Sequence, residues 1–222
     1  MRRKTFREAG AVLTWIDRGT HHELLLGRVP LLTSALLGTE RAFGRLAPRG
    51  ATRVLVGGLG FGATLAGVLE RAAPDARVVV AEKLGTVIDL VRGELAHLAR
   101  ATLDDPRVTI ERADVADVIA RERGLDAILL DVDNGPEWAS FRSNARLYDA
   151  RGLAAAKRAL RRGGIFAVWS GYPVDAFASR LRAAGFRARV VPLVERGKVQ
   201  ARAYVGVAEI SRGGARSSPG RR

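Results

Sequence analysis

One short stretch, Val54-Leu55-Val56-Gly57-Gly58-Leu59-Gly60-Phe61-Gly62, constrains this chain more than any other. The apolar run at 53–56 predicts a buried strand that feeds a glycine-dense turn. A helix over 63–73 follows, closed by Pro74. Glycine allows a tight main-chain turn with no side chain in the way. It also lets a ligand lie against the backbone at the helix start, where N–H groups lack intrahelical partners. A second apolar strand at 77–81 ends on Glu82, twenty residues after Gly62. An acid at that point of a β-α-β unit stands beside the turn and can accept two hydrogen bonds from a ribose diol. The unit therefore predicts an adenosine-type ligand contacted by Gly57, Gly58, Gly60, Gly62 and Glu82.

The alternation continues. Helical periodicity over 85–99 is followed by a third strand at 107–111 and a helix over 115–121. Asp114, between those two, reads as a helix N-cap whose carboxylate or neighbouring backbone also faces the adenine. The fourth buried strand, 126–131, ends on Asp131. Asp133, Glu137 and Trp138 lie in the long loop running to Tyr148. Asp149 caps a helix over 150–162 that Gly163-Gly164 ends, and the fifth strand is 165–170. After a helix over 174–184, strands at 187–195 and 201–210 form an antiparallel hairpin.

Five alternating strands call for a doubly wound, mostly parallel sheet. Its carboxyl ends carry Gly58, Glu82, Asp114, Asp131 and Asp133. With the closing hairpin, the α/β fold expected is the Rossmann-like class I methyltransferase fold, a seven-stranded sheet. Ahead of it, residues 10–17 and 23–34 flank a turn and read as a small N-terminal β-hairpin or small antiparallel sheet, with a helix over 40–46 capped by Thr39. The expected division is 1–50 for hairpin and short helix, 51–210 for the nucleoside-binding catalytic domain, and 211–222 for a disordered basic tail.

Composition is that of a folded protein, 47% hydrophobic and 27% charged, with no apolar run long enough to span a membrane. No signal-peptide core follows the basic N-terminus, and there is no cysteine, so a cytoplasmic enzyme without thiolate or disulfide chemistry is expected. The net charge of +14 falls to +6 once the four positive charges in each of residues 1–7 and 212–222, read as solvated tails, are set aside. The remaining arginines are scattered rather than striped, so nucleic acid is not the expected partner. His21 and His22 sit alone in a turn, and no metal site is read.

From about residue 10 to 210 the chain resembles the spermidine/spermine synthase family. The resemblance rests on Gly57 to Gly62, on Glu82, on Arg112-Ala113-Asp114 and on Leu129-Leu130-Asp131-Val132-Asp133 followed by Gly135-Pro136. It also includes Leu147-Tyr148 ahead of Gly163-Gly164-Ile165, and Leu32-Thr33-Ser34 with Glu40 after it. It implies a donor site for S-adenosylmethionine or its decarboxylated form, with Glu82 on the ribose and Asp114 on the adenine side. Asp131 or Asp133 would face the sulfonium and the incoming amine, and a homodimer is implied. Two departures stand out: Leu59-Gly60 puts no carboxylate in the turn, and the loop from Asp131 to Gly135-Pro136 is two residues shorter.

The expected chemistry is aminopropyl transfer to a small-molecule amine, with methyl transfer as the alternative. Asp133 is the expected proton acceptor and Asp131 its partner. Glu137, Trp138, Tyr148 and Trp169 are the expected acceptor-pocket residues. A nicotinamide-dependent oxidoreductase is a further alternative, because Gly58-Leu59-Gly60-Phe61-Gly62-Ala63 satisfies the loose dinucleotide fingerprint. A non-catalytic binding protein is another.

Overall fold

The computed structural model describes residues 1–8, 10–35, 37–132, 135–137 and 142–209, without the side chains of 100, 142, 143 and 175. Four antiparallel strands open the chain: β1 (Arg2–Glu8), β2 (Ala11–Asp17), β3 (His22–Leu26) and β4 (Val29–Thr33), in that spatial order. Residues 2–7, expected to belong to a solvated tail, are part of a strand. Its basic side chains stay exposed, and the strand owes its shape to full pairing with β2, from Arg2↔Asp17 to Glu8↔Ala11. Its last residue anchors the small sheet. The Glu8 carboxylate accepts the Gly85 N–H (2.7 Å) and Thr86 N–H (2.9 Å) and an Arg112 guanidinium (2.8 Å). Thus an acid from the first strand caps helix α3 (Gly85–Arg92) of the main layer.

After α1 (Gly38–Gly44) comes the main sheet, built from β5 (Ala51–Gly57), β6 (Ala72–Glu82), β7 (Val108–Arg112), β8 (Leu125–Leu130), β9 (Leu160–Ser170), β10 (Phe186–Glu195) and β11 (Lys198–Ala208). Its order is β10-β11-β9-β8-β5-β6-β7, parallel except for the antiparallel β10–β11 hairpin paired onto β9. The expected seven-stranded α/β fold is therefore present, preceded by the small antiparallel sheet, which has four strands. Helices cover both faces. On one side lie α1, α2 (Ala63–Leu69), α3, α4 (Ala96–Leu103) and the N-terminal sheet, around Val54, Val56, Leu65, Leu129 and Ala167. On the other lie α5 (Val115–Arg121), α6 (Ala150–Ala159) and α7 (Asp175–Ala183), around Leu55, Ile128, Leu130 and Phe166. Among the described residues no helix is long and apolar enough to cross a membrane.

Several boundaries differ from expectation for local reasons. Helix α2 stops at Leu69, and Pro74 belongs to β6. It sits in a register shift between Ala51↔Ala72 and Arg53↔Arg77, where no ladder N–H is needed. The helix expected over 85–99 is broken at Gly93 into α3 and α4. Residues 161–164 bulge out between Leu125↔Leu160 and Ala127↔Ile165, so β9 starts where the helix was expected to be ending. Thr39 does not cap α1; its own N–H is capped by Glu195 Oε2, 3.1 Å away. The Asp114 and Asp149 caps are present, accepting from Ala116 N (3.0 Å) and Gly152 N (2.8 Å).

The strand order reverses between β5 and β8, and there two chain ends nearly touch. Gly58 follows β5 with φ +88°, and a Cβ on it would lie 2.2 Å from the Asp131 carbonyl oxygen. The neighbouring Asp131 N–H donates to the Gly57 carbonyl at 2.8 Å. Gly58→Ala should cost about 3 kcal/mol or more, from a strained backbone and a clash with rigid main chain. Gly60, at φ +50°, has only Leu32 Cδ2 nearby at 3.8 Å. Gly60→Ala should therefore cost about 1 kcal/mol, for the backbone conformation alone. Urea midpoints of the two variants should separate accordingly; equal midpoints would contradict the close approach.

Candidate functional site

The switch point between β5 and β8 opens into a cavity of about 390 Å³. Its floor is the turn from Gly58 to Phe61. Glu82, Lys83 and Asp114 line one side, and Asp131, Val132, Trp169 and Tyr172 line another. Strand β4 and the start of α1 cover it with Leu31, Leu32, Leu37 and Glu40. Ligand sites of open α/β sheets fall at this crevice.

Glu82 closes β6 and is 8% exposed. Its two carboxylate oxygens accept the Leu59 N–H (2.9 Å) and the Leu84 N–H (2.8 Å). The side chain thus ties the glycine turn to the next strand end. Burial raises its pKa, against the backbone N–H bonds from Leu59, Leu84 and Lys83. Three N–H bonds on about four lone-pair sites leave the carboxylate room for one further donor, such as a single hydroxyl. The glycines divide their duties. Gly58 and Gly60 line the cavity, whereas Gly57 and Gly62 do not. Gly57 is small because Leu130 and Val115 press on it, and Gly62 (φ +82°) because Ala99 lies against it. Two of the four expected ligand glycines therefore serve packing.

Asp114, besides capping α5, pairs with Lys83 (3.3 Å) and Arg146 (3.0 Å). Burial raises its pKa, but the Ala116 N–H and those two cations more than offset this and hold it low. An ionised carboxylate with its cations thus stands at the rim where the adenine is expected.

Asp131 leaves β8 one register step past Leu130↔Val168, on the sheet face that α1 and α2 cover. The Thr64 hydroxyl of α2 donates to Asp131 Oδ2 at 2.6 Å and lies 3.2 Å from the Glu40 carbonyl oxygen. Burial pushes Asp131 up to about 6, against the Thr64 hydrogen bond. Glu40, which accepts from the Thr39 hydroxyl (2.8 Å), is pushed up to about 7, first by burial and then by the charge of Asp131. Glu195, on the N–H of Thr39, adds to that repulsion. Two carboxyls from residues 91 positions apart thus form one acidic centre that keeps a proton near neutrality.

The acceptor-pocket expectations divide. Trp169 lines the cavity. Tyr148 does not: it is 2% exposed in the core beneath α6 and α7, edge-on to Phe177 at 5.8 Å. Glu137 is exposed, is paired with Arg180 at 3.0 Å and is not a lining residue. Asp133 and Trp138 lie outside the described residues. Sequence reasoning gave no role to Thr64 or Lys83 and marked Glu40 only as part of a resemblance. Nothing in local spacing connects Glu40 with Asp131; an acid directly before the apolar turn of a short helix is the only signal it leaves. His22, expected in a surface turn, lies in β3 stacked on Trp15 (5.7 Å). Among the described residues no three acidic or histidine side chains could hold a metal ion together.

This sheet order, with a closing hairpin and a crevice at the reversal, defines the class I methyltransferase-like fold. Among solved structures of that fold, the chain is similar to spermidine synthases. The spermidine synthase of Thermotoga maritima matches with a TM-score of 0.74 at 18% identity, over 94% of this chain and 73% of that one. A spermidine synthase in complex with the transition-state analogue AdoDATO gives 0.72 at 19%, over 94% and 72%. A probable spermidine synthase from Corynebacterium glutamicum gives 0.61 at 17%, over 92% and 79%. At such identities the likeness defines the fold. No protein-family model and no curated protein matches the sequence.

The acidic pair makes a pH prediction. Both folded pKa values stand above the ordinary carboxylate value, so between about pH 4 and 7 the folded state binds more protons than the unfolded one. Stability from this pair therefore falls as pH rises through that window. Glu40→Gln should flatten the loss by about 1 kcal/mol per pH unit between pH 5 and 7. Urea unfolding of both proteins at pH 5, 6, 7 and 8 measures the difference; parallel curves would show that the two carboxyls do not interact.

Proposed function

We propose that the chain is a transferase that alkylates a small-molecule amine, using an adenosyl sulfonium compound as donor. The single observation that carries this reading is the cavity at the strand-order reversal. Its floor is a bare turn braced by Glu82, and its far end is the Glu40–Asp131 pair. The spermidine synthase fold supports aminopropyl transfer from decarboxylated S-adenosylmethionine. The nucleoside would lie on Gly58 and Gly60, with a ribose hydroxyl on the Glu82 carboxylate and its adenine toward Asp114. Methyl transfer from S-adenosylmethionine is the second reading, favoured by the absence of any acid from the turn residues 58–61.

The reaction is one displacement. The amine nitrogen attacks the carbon bonded to the sulfonium sulfur, a C–N bond forms, and the C–S electron pair returns to sulfur as a neutral thioether. Alignment supplies most of the acceleration, up to ~7–11 kcal/mol in favourable cases, because the leaving group needs no activation. The proton lost by nitrogen passes to a carboxylate, Asp133 in this reading, with Asp131 stabilising the cation as it develops.

Thermal shift with S-adenosylmethionine, its decarboxylated form and NAD separates the readings. A sulfonium donor at ~100 times its Kd should raise Tm by several degrees. If neither raises it, the transferase reading fails, and a shift with NAD alone would put an oxidoreductase in its place. Asp133→Asn should lower turnover at least ~100-fold while leaving donor binding within about twofold. Mass spectrometry of an amine panel incubated with each donor reads both the turnover and the group transferred.

A further inference from the structure

One wall of the cavity is built from carbon side chains that lead from an acid to open solvent. Strand β4 is a free edge of the N-terminal sheet, and every residue from Val29 to Thr33 lines the cavity. A regular strand sends alternate side chains to opposite faces. Here the register slips: Leu24 pairs with Leu32 but Leu25 with Pro30, so Leu31 is an extra residue in the strand. A bulge of this kind re-aims the side chains beside it, and such bulges are common next to active sites. Leu31 and Leu32 stay half-buried, so part of each is left for a ligand to cover. Leu37 continues the wall. It lines the cavity three residues before Glu40, the separation of neighbours on a helix surface. At the other end, Val29 is 60% and Tyr172 51% exposed, so these two lining residues stand at the mouth. From Val29 to Thr33 the strand runs about 13 Å.

We infer that the acceptor substrate is a monoamine carrying an apolar chain, rather than a polyamine. Its ammonium lies at Glu40 and Asp131, its chain runs over Leu37 and Leu31, and the chain leaves the cavity beside Val29. The inference rests on the amine-alkylating reading above and narrows it to a substrate class. Two features besides the leucines select that chemistry. Among the described residues, the other acids lining the cavity are Glu82 and Asp114, on the nucleoside side. They already hold backbone N–H groups and, at Asp114, two cations. A second ammonium farther along the chain would meet carbon side chains on the wall. At the mouth it would approach Arg28, exposed in the turn just before Val29. Taking a charge out of water onto such a surface without a partner is unfavourable. An alkyl chain on the same surface sheds apolar area from water, which is favourable.

The test is a chain-length series. Binding of n-propylamine, n-butylamine, n-hexylamine, 1,6-diaminohexane and 6-aminohexanoate is measured by titration. Each is measured with and without saturating 5′-methylthioadenosine, the thioether that aminopropyl transfer leaves. Every added methylene should tighten binding about three- to fourfold. Hexylamine should bind at least about tenfold tighter than the diamine or the amino acid. Val29→Glu puts an acid at an exposed position, where substitutions change stability little. Leu31→Glu puts one on the wall itself. Either should reduce the gain per methylene and bring 1,6-diaminohexane level with hexylamine or above it. Val199→Glu, at a residue 50% exposed and outside the cavity lining, should change neither affinity. If Leu31→Glu does not fold, Val29→Glu decides alone. The inference is overturned if affinity does not rise with chain length, or if the diamine binds as tightly as hexylamine to the unaltered protein. It is equally overturned if Val29→Glu leaves the selectivity unchanged or Val199→Glu shifts it as far. Loss of the chain-length gain once the thioether is bound would assign the leucines to the nucleoside and overturn it too. Failure of the sulfonium donors to bind, with the alkylamine series intact, would remove the transferase reading and leave the ligand class standing. Faster turnover of 1,4-diaminobutane than of hexylamine would keep the transferase and overturn this inference.

Discussion

The contact on which the rest of the molecule depends is the near-collision of Gly58 with the Asp131 carbonyl. Two parallel strands that diverge in chain direction, β5 toward β6 and β8 toward β9, can be this close only if one of them lacks a side chain at its end. That closeness lets the Asp131 N–H find the Gly57 carbonyl and swings the Asp131 carboxylate under α2, onto the Thr64 hydroxyl. With the two ends fastened, the turn beyond Gly58 projects outward and its Leu59 N–H reaches Glu82. The cavity is what remains between these fixed points. Its existence owes more to backbone crowding at the switch than to any side chain that lines it.

A second theme is the use of acids as braces. Glu8 holds the start of α3, Glu195 the start of α1, and Glu82 the turn before α2. Each carboxylate joins an element distant in sequence to backbone N–H groups that would otherwise be unpaired. In a chain of net charge +14, most acids are thereby committed to structure or to ion pairs with arginine. The Glu40–Asp131 pair departs from that pattern, because the charge of Asp131 acts on Glu40 and no ion pair with a cation is found for either among the described residues. Uncompensated acids in a cavity are where function is to be sought.

How much of this was legible in the sequence depends on the range of the interactions involved. Strands 53–56, 126–131 and 165–170 are apolar on both faces and announce a sheet buried on both sides. The Asp114 and Asp149 caps act over two or three residues and were readable for the same reason. Strand β1 was not, since RRKTFRE has no buried face and is a strand only because β2 pairs with it. Tyr148 illustrates the converse. An aromatic beside a glycine-rich site reads as a ligand contact, yet its ring fills the core between α6 and α7. The two glycines that serve packing rather than ligand had the same local signature as the two that line the cavity. Only Ala99, Leu130 and Val115, each distant in sequence, distinguish them.

The bond between Glu195 and the start of α1 spans 156 residues. The helix that carries Glu40 is thus seated by a strand near the far end of the chain. During synthesis the residues of the cavity floor have all emerged once Asp131 is made, before the strand that secures the opposite wall. The start of α1 gains this brace only when the last hairpin folds back, so an interrupted chain would own a cleft whose acidic wall is unsecured.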